Sequence, residues 1–191
     1  MGMDVSGKNP KNKQGEYFRA SVWSWHSLWD YCEIIAEEIC KDCENPHHNQ
    51  GDGLNSIKAK KLGQAVLEAV KDGRAAKYLD DRKAFLDSIP NKVCIHCHGT
   101  GKRQWFVNSK TGESRSKYEY NIMAEEVLSV EELEPRTERE IGADEVEIER
   151  ICNACGGKGF ERPWITNYGF DLDHLEEWGT FCVNSGGFEI W

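Results

Sequence analysis

Residues 94–101 (CIHCHGTG) and 152–159 (CNACGGKG) are two copies of one pattern, C-x-x-C-x-G-x-G. Each copy brings two thiols to one side of a tight turn. Together Cys94, Cys97, Cys152 and Cys155 supply four thiolates, the number that tetrahedral Zn2+ takes in a structural site. The glycines at the sixth and eighth positions have a physical role. A knuckle must curl its backbone so that amide hydrogens point back at the sulfurs, and glycine reaches the positive φ this needs. Four sulfurs close the coordination sphere and leave no position for a water. The expected centre, one structural Zn2+, fixes the fold and does not activate a nucleophile. It also pins the two ends of the segment between Cys97 and Cys152, whose closure otherwise costs chain entropy. His96 and His98 neighbour ligand cysteines and are expected to point away from the metal.

Other residues could do chemistry with less support from their spacing. Cys40, Cys43, His47 and His48 read C-x-x-C-x3-H-H and could reach a second metal ion, although the first two fall at the end of an apolar helix face, where thiols simply pack. Arg19 lies among Lys8, Lys11 and Lys13 and beside Tyr17, Phe18 and Trp23. Basic residues interleaved with aromatics could hold a small anionic ligand or a single strand, with Arg19, Trp23, Trp25 and His48 as the residues to contact it. A thiol nucleophile would be Cys32 or Cys182 with one of His26, His47, His48 or His174, but no spacing singles out a pair. The chain has no P-loop, no G-x-G-x-x-G, no H-E-x-x-H and no G-x-S-x-G. No catalytic residue is assigned, and the expectation is a non-enzymatic protein.

Bulk composition narrows the classes. The net charge of -9 repels a phosphate backbone unless the basic residues are segregated, which disfavours nonspecific nucleic-acid binding. No apolar run approaches the roughly 20 residues that span a bilayer, and residues 1–15 lack the apolar core of a secretory signal. With eight cysteines and no export signal, thiols and metal ligands in a reducing cytoplasm are expected rather than disulfides.

The elements that must position the knuckles follow from periodicity. Residues 1–10 read as a strand and a turn. Trp25, Leu28, Trp29, Cys32 and Ile39 recur at helical spacing, giving a helix over about 22–43 with Ser21, Ser24 or Ser27 as its cap. Residues 44–53 read as a loop. Ser56 would cap a second helix ending at Gly73, and a third runs to Pro90. After the first knuckle, Gln104–Val107 and Ser116–Tyr120 read as a hairpin, and residues 125–149 as an acidic, solvated excursion ending in a strand around Val146 and Ile148. Residues 164–170 read as a strand. Asp171 would cap a helix carrying Leu175, Trp178, Phe181 and Cys182, and Phe188–Trp191 would close the chain as a strand able to pair with residues 1–5. The fold class is α+β in a single domain over 1–191. It comprises a helical N-terminal part (1–92), a zinc-pinned β-hairpin excursion (93–160) and a C-terminal helix and strand (161–191).

The two knuckles resemble half of the cysteine-rich region of DnaJ-type co-chaperones, which carries four such repeats and two zinc ions. This chain has two repeats and no His-Pro-Asp motif. The resemblance therefore implies one zinc and a finger, not co-chaperone activity. A second resemblance covers most of the chain. Residues 1–5 (MGMDV), 7–10 (GKNP) and 15–19 (GEYFR), then Trp23, Trp25, Leu28 and Trp29, the split knuckles, and residues 184–191 (NSGGFEIW) are similar to a group of small bacteriophage and bacterial proteins with no activity attached. It implies a phage or bacterial cytoplasmic protein. The expected partner is a host or phage protein, bound through the acidic excursion or the tryptophan-rich face, and the expected role is modulation of a host process such as defence. The alternative is a ligand- or nucleic-acid-binding module using the N-terminal patch.

Overall fold

The computed structural model describes residues 2–119 and 137–191, with Glu119 as backbone only. In chain order the elements are β1 (Gly2–Gly7), β2 (Tyr17–Ser21), α1 (Val22–Cys40), β3 (Asp52–Asn55), α2 (Ser56–Lys71), α3 (Arg74–Ser88), β4 (Lys92–Val93), β5 (Lys102–Asn108) and β6 (Ser114–Ser116). There follow β7 (Tyr118–Glu119), β8 (Thr137–Glu138), β9 (Glu145–Ile151), β10 (Phe160–Glu161), α4 (Leu172–Asn184) and β11 (Gly187–Ile190). The fold is α+β. Two compact units divide the chain, residues 1–87 with 165–191, and residues 88–164. The acidic residues of the expected excursion that fall in 120–136 lie outside the described residues.

The first unit is built on an antiparallel sheet of order β2-β1-β11-β3. In β1 Met3 and Val5 are buried and in β2 Phe18 and Ala20, every second residue, so one face of the sheet is covered by core. The closing strand inserts beside the opening one, with Val5 opposite Ile190 and Gly7 opposite Phe188. Helix α1 starts where Ser21 Oγ accepts the Ser24 N–H at 3.1 Å. It buries Trp25, Leu28, Trp29, Tyr31 and Cys32 and kinks at Ala36. Helix α4 starts where Asp171 accepts the His174 N–H at 2.8 Å. Trp178 of α4 is the hub of the core: Trp25, Phe18, Phe181 and Phe188 lie 5.3, 5.0, 5.4 and 5.1 Å from it, centroid to centroid. Helices α2 and α4 approach each other over glycines. A Cβ at Gly63 would stand 2.5 Å from the Gly179 carbonyl, so any larger residue there would force the helices apart.

Three local expectations need correction. The cap of α2 is Asn55, which accepts from Ile57 and Lys58 N–H, and Ser56 is its first helical residue. Residues 52–55 are strand rather than loop, because their backbone completes the sheet against β11; Gly53 lies so close to that strand that a Cβ would be 2.0 Å from the Phe188 carbonyl. Trp164–Asn167 forms a 3-10 turn in place of a strand.

In the second unit two short ladders bracket the knuckles. Strand β4 leads into the first knuckle and β10 leaves the second, paired with Val93 opposite Phe160. Strand β5 leaves the first knuckle and β9 enters the second, paired from Lys102–Ile151 to Asn108–Glu145. β6 adds to β5, giving a sheet of order β6-β5-β9. Alternation along β9 sorts its charges. Glu145, Glu147 and Glu149 share one face and meet Arg115 at 2.6 Å, Lys117 at 3.0 Å and Lys102 at 2.6 Å. Val146, Ile148 and Arg150 take the other face. Outside the cysteines, Phe106 and Pro163 are the buried apolar side chains among the described residues of this unit, and Arg115 covers Phe106 at 5.2 Å. Among the described residues no helix is long and apolar enough to cross a membrane.

Candidate metal centre

The register of β5 on β9 sets Gly101 against Cys152, and that of β4 on β10 sets Cys94 against Gly159. The Cys152 N–H donates to the Gly101 carbonyl at 2.9 Å and the Cys94 N–H to the Gly159 carbonyl at 3.0 Å. Each knuckle thus anchors the other, related by an approximate two-fold. The match extends to dihedral angles. His98 and Gly156 have φ of 51° and 59°, Gly99 and Gly157 76° and 83°, and Gly101 and Gly159 73° and 83°. At Gly101 and Gly159 glycine is required twice over, because a Cβ on either would come 2.2 Å from the facing knuckle's carbonyl, Gly157 O and Gly99 O respectively.

This curl directs amides at sulfur. Gly101 N–H donates to Cys97 Sγ and Gly159 N–H to Cys155 Sγ, both at 3.3 Å. Cys94, Cys97, Cys152 and Cys155 are all buried, and their sulfurs lie within 4.8 Å of one another. Across the knuckles the Cys94–Cys152 and Cys97–Cys155 sulfurs are 3.9 and 3.7 Å apart. Zinc–sulfur bonds of about 2.3 Å in a tetrahedron require sulfur–sulfur edges of about 3.8 Å. The residues present therefore fit a tetrathiolate ion. Neither His96 nor His98 joins this set.

The electrostatics point the same way. Burial pushes the Cys94 thiol far up, helped by the Glu161 carboxylate and by Cys97, and burial pushes Cys97 up as well. For Cys155 burial also acts upward, but the Gly159 amide and the Cys152 and Cys97 thiols outweigh it and hold the group at about 7. Four thiolates cannot ionise side by side without a cation; a divalent ion supplies the missing charge. Glu161 adds to this demand. It sets its carboxylate against Cys94 and keeps Oε1 buried without a hydrogen-bond partner. No sequence signal marked Glu161, since it lies outside both knuckle patterns; only the β4–β10 pairing delivers it.

The other predicted site residues are placed differently. Cys40 and Cys43 belong to the apolar core of the first unit, and burial pushes both thiols up to about 12. His47 stacks on His26 at 4.1 Å, and burial first, then the charge of His26, lowers its pKa. Among the described residues, Cys40, Cys43, His47 and His48 do not form a group whose ligand atoms could share an ion; the cysteine tetrad does. The physical reason is that Cys40 ends α1 and Cys43 lies three residues beyond it, both packed into the core, while the histidines follow a turn that packs on α1. Trp25 is fully buried and its indole N–H donates to the Pro46 carbonyl at 2.8 Å, which removes it from any ligand surface. Trp23 lies edge-on to Tyr168 at 5.3 Å. Arg19 is 3.6 Å from Asp4 and beside Gly2, whose carbonyl accepts from Asn49, so Arg19 does come near the 48–49 turn. Lys8 meets Glu189 at 3.5 Å, and Lys11 reaches the Val183 carbonyl. Lys8, Lys11 and Arg19 of the N-terminal patch are thus tied to the body of the unit. The thiols of Cys32 and Cys182 are buried in core and pushed well above the ordinary range by that burial, which keeps them in the non-nucleophilic form.

Compared with protein-family models, curated proteins and solved structures, the chain matches none.

Proposed function

We propose that this protein is a non-enzymatic interaction module whose finger, residues 88–164, is held by one structural zinc ion. It acts in the cytoplasm of a bacterium or of a phage-infected cell, on a host or phage protein, to modulate a host process such as defence. The observation that carries the reading is the closed tetrad: four buried sulfurs within 4.8 Å of one another would fill the coordination sphere of one ion and leave no position for a substrate or a water, so the metal serves architecture. What the metal supports is surface. Among the described residues the finger sheet has little core of its own, and it leaves Val146 50 % exposed on one face and Ile151 73 % exposed on the other. Exposed apolar side chains on a rigid, metal-braced sheet are what a docking site needs and what an isolated fold avoids.

The test is native mass spectrometry of the protein purified gently from a bacterial host. The expected result is one zinc per chain, lost in Cys152→Ser, together with one co-purifying protein. A chain that carries no metal, or a Cys152→Ser variant that keeps its metal and its stability, sinks the zinc reading. A zinc-loaded chain that never retains a protein partner sinks the interaction reading.

A further inference from the structure

The sheet of the first unit ends at β2, which has one neighbour, β1. Every second residue of an edge strand turns its N–H and C=O away from the sheet. Among the described residues, the backbone of residues 17–20 bonds only to β1. Proteins blunt such an edge with a covering element, a proline or a charge. Residues 17–21 (YFRAS) hold no proline, and their one charge, Arg19, lies 3.6 Å from Asp4 of the neighbouring strand.

This edge borders a groove of about 690 Å³, the size of a ligand site, with Tyr17 and Phe18 on one side and α4 on the other. Tyr17 and Phe18 are consecutive in a strand and point to opposite faces of the sheet, so a groove that touches both follows the outer edge of β2. The α4 wall is Asp173, Glu176, Glu177 and Thr180, spaced i, i+3, i+4 and i+7 along one stripe of the helix. Among the described residues Asp173 and Glu176 have no cation partner, and Glu177 meets only His174, at 3.6 Å. The groove thus joins unpaired strand backbone to a wall of one sign.

We infer that β2 accepts an extended basic segment of a partner protein as a fifth strand of its sheet, with lysine or arginine at alternate positions turned toward α4. Main-chain bonds to the edge supply affinity whatever the sequence, and the three carboxylates select the side chains through charge-assisted hydrogen bonds. The stems of those basic side chains lie on Phe18, which faces the same side of the sheet as α4. Charge sorts the other occupants. A second copy pairing edge to edge would bring like charges into one groove, and residues 120–136, with five glutamates and one arginine, carry the wrong sign to fill it. A nucleic-acid strand meets the same opposition. The inference rests on the interaction reading only in taking the occupant to be a protein, and it puts the contact on the unit without the cysteine tetrad.

The probe is a fluorescein-labelled ten-residue peptide of lysine alternating with threonine, titrated by anisotropy into the full zinc-loaded chain. Saturable binding is expected, weaker by at least about tenfold for Glu176→Lys. A similar loss is expected when two consecutive central residues of the peptide are N-methylated, since one of the two must donate to the edge. Glu37→Lys on α1, which changes the net charge equally, should leave affinity unchanged. Near-ultraviolet circular dichroism shows that each variant keeps its first unit, and Glu176→Gln combined with Glu177→Gln should weaken binding in the same direction without reversing charge. No saturable binding, an equal loss in Glu37→Lys, or undiminished affinity of the N-methylated peptide overturns the inference. So does tighter binding of a glutamate–threonine peptide, or a dimer of the free protein that the lysine peptide dissociates. Co-purification separates this failure from failure of the interaction reading: a partner retained by both wild type and Glu176→Lys rejects this edge alone, whereas a partner retained by neither rejects the module.

Discussion

The two units of this chain reach stability by opposite routes. The unit of residues 1–87 and 165–191 buries Trp25, Trp29, Trp178, Phe181 and Phe188 in one continuous core. The unit of residues 88–164 buries Phe106 and four cysteines, and its sheet is dressed with ion pairs. In the first, stability scales with apolar area removed from water. In the second there is little such area to remove among the described residues and exposed ion pairs contribute little, so a metal held by the cysteine tetrad would take the place that a core has elsewhere. The lesson is that the cysteine tetrad of the finger and the tryptophan hub of α4 are counterparts: each is the one feature its unit cannot lose.

Chelation is the largest way to break the comparison. Structural zinc in small domains is worth on the order of 10 kcal/mol of folding free energy, so stripping the metal should unfold the finger. Proteolysis should then cut within residues 88–164, while near-ultraviolet circular dichroism from Trp25, Trp29 and Trp178 persists. A coordinated loss of both signals would contradict the division. The reciprocal change is Trp178→Ala, expected to cost the first unit about 3–5 kcal/mol by denaturant titration and to leave zinc affinity unchanged.

Within the finger, Gly101→Ala and Gly156→Ala sharpen the picture. Both sites have positive φ, but an added Cβ at Gly156 meets nothing within 4 Å, whereas at Gly101 it collides with the Gly157 carbonyl. Gly156→Ala should therefore cost about 1–2 kcal/mol from backbone strain alone. Gly101→Ala should break the contact between knuckles and lower metal affinity by more than its neighbour does, as read by competition with a chromophoric chelator.

The smallest effect is a pH dependence. The Arg115 side chain first, then the Gly142 amide, lower the Glu145 pKa to about 2. A depressed carboxylate stabilises the fold above its unfolded value, about 4.3, and that contribution is lost as pH falls toward 2. Carbon-detected NMR should find Glu145 still ionised at pH 4; a midpoint near 4.3 would remove the pair from the account.

How much of this was legible beforehand differs by unit in the same way. The knuckles could be read from eight residues each, because ligand geometry is local and glycine marks every positive φ there except that of His98. Helix α4, its Asp171 cap and the pairing of β1 with β11 were also legible, since alternation and capping are written in side chains. Strands β2 and β3 were not. Both are edge strands of five and four residues, and their strand character comes from the neighbour they pair with. Residues 52–55 (DGLN) carry a turn-like composition that the sheet overrides. The same holds for Trp25: its spacing announced an inward face, but only packing shows that the Pro46 carbonyl satisfies its indole and takes it out of contention as a ligand residue. Charge along β9 was legible as a run; its sorting onto one face follows from a strand register the sequence does not state.

One consequence concerns the order in which the chain is made. Strand β11, residues 187–190, lies between β1 and β3, and α4 packs against α2. On a ribosome, the first 87 residues are synthesised well before the strand that must slot into the middle of their sheet. The finger needs nothing beyond residue 164 to complete its knuckles. A segment in the middle of the chain can therefore capture its ion and fold while the earlier residues are still waiting. Stalled nascent chains ending short of β11 should show a metal-protected finger beside a protease-sensitive amino-terminal stretch.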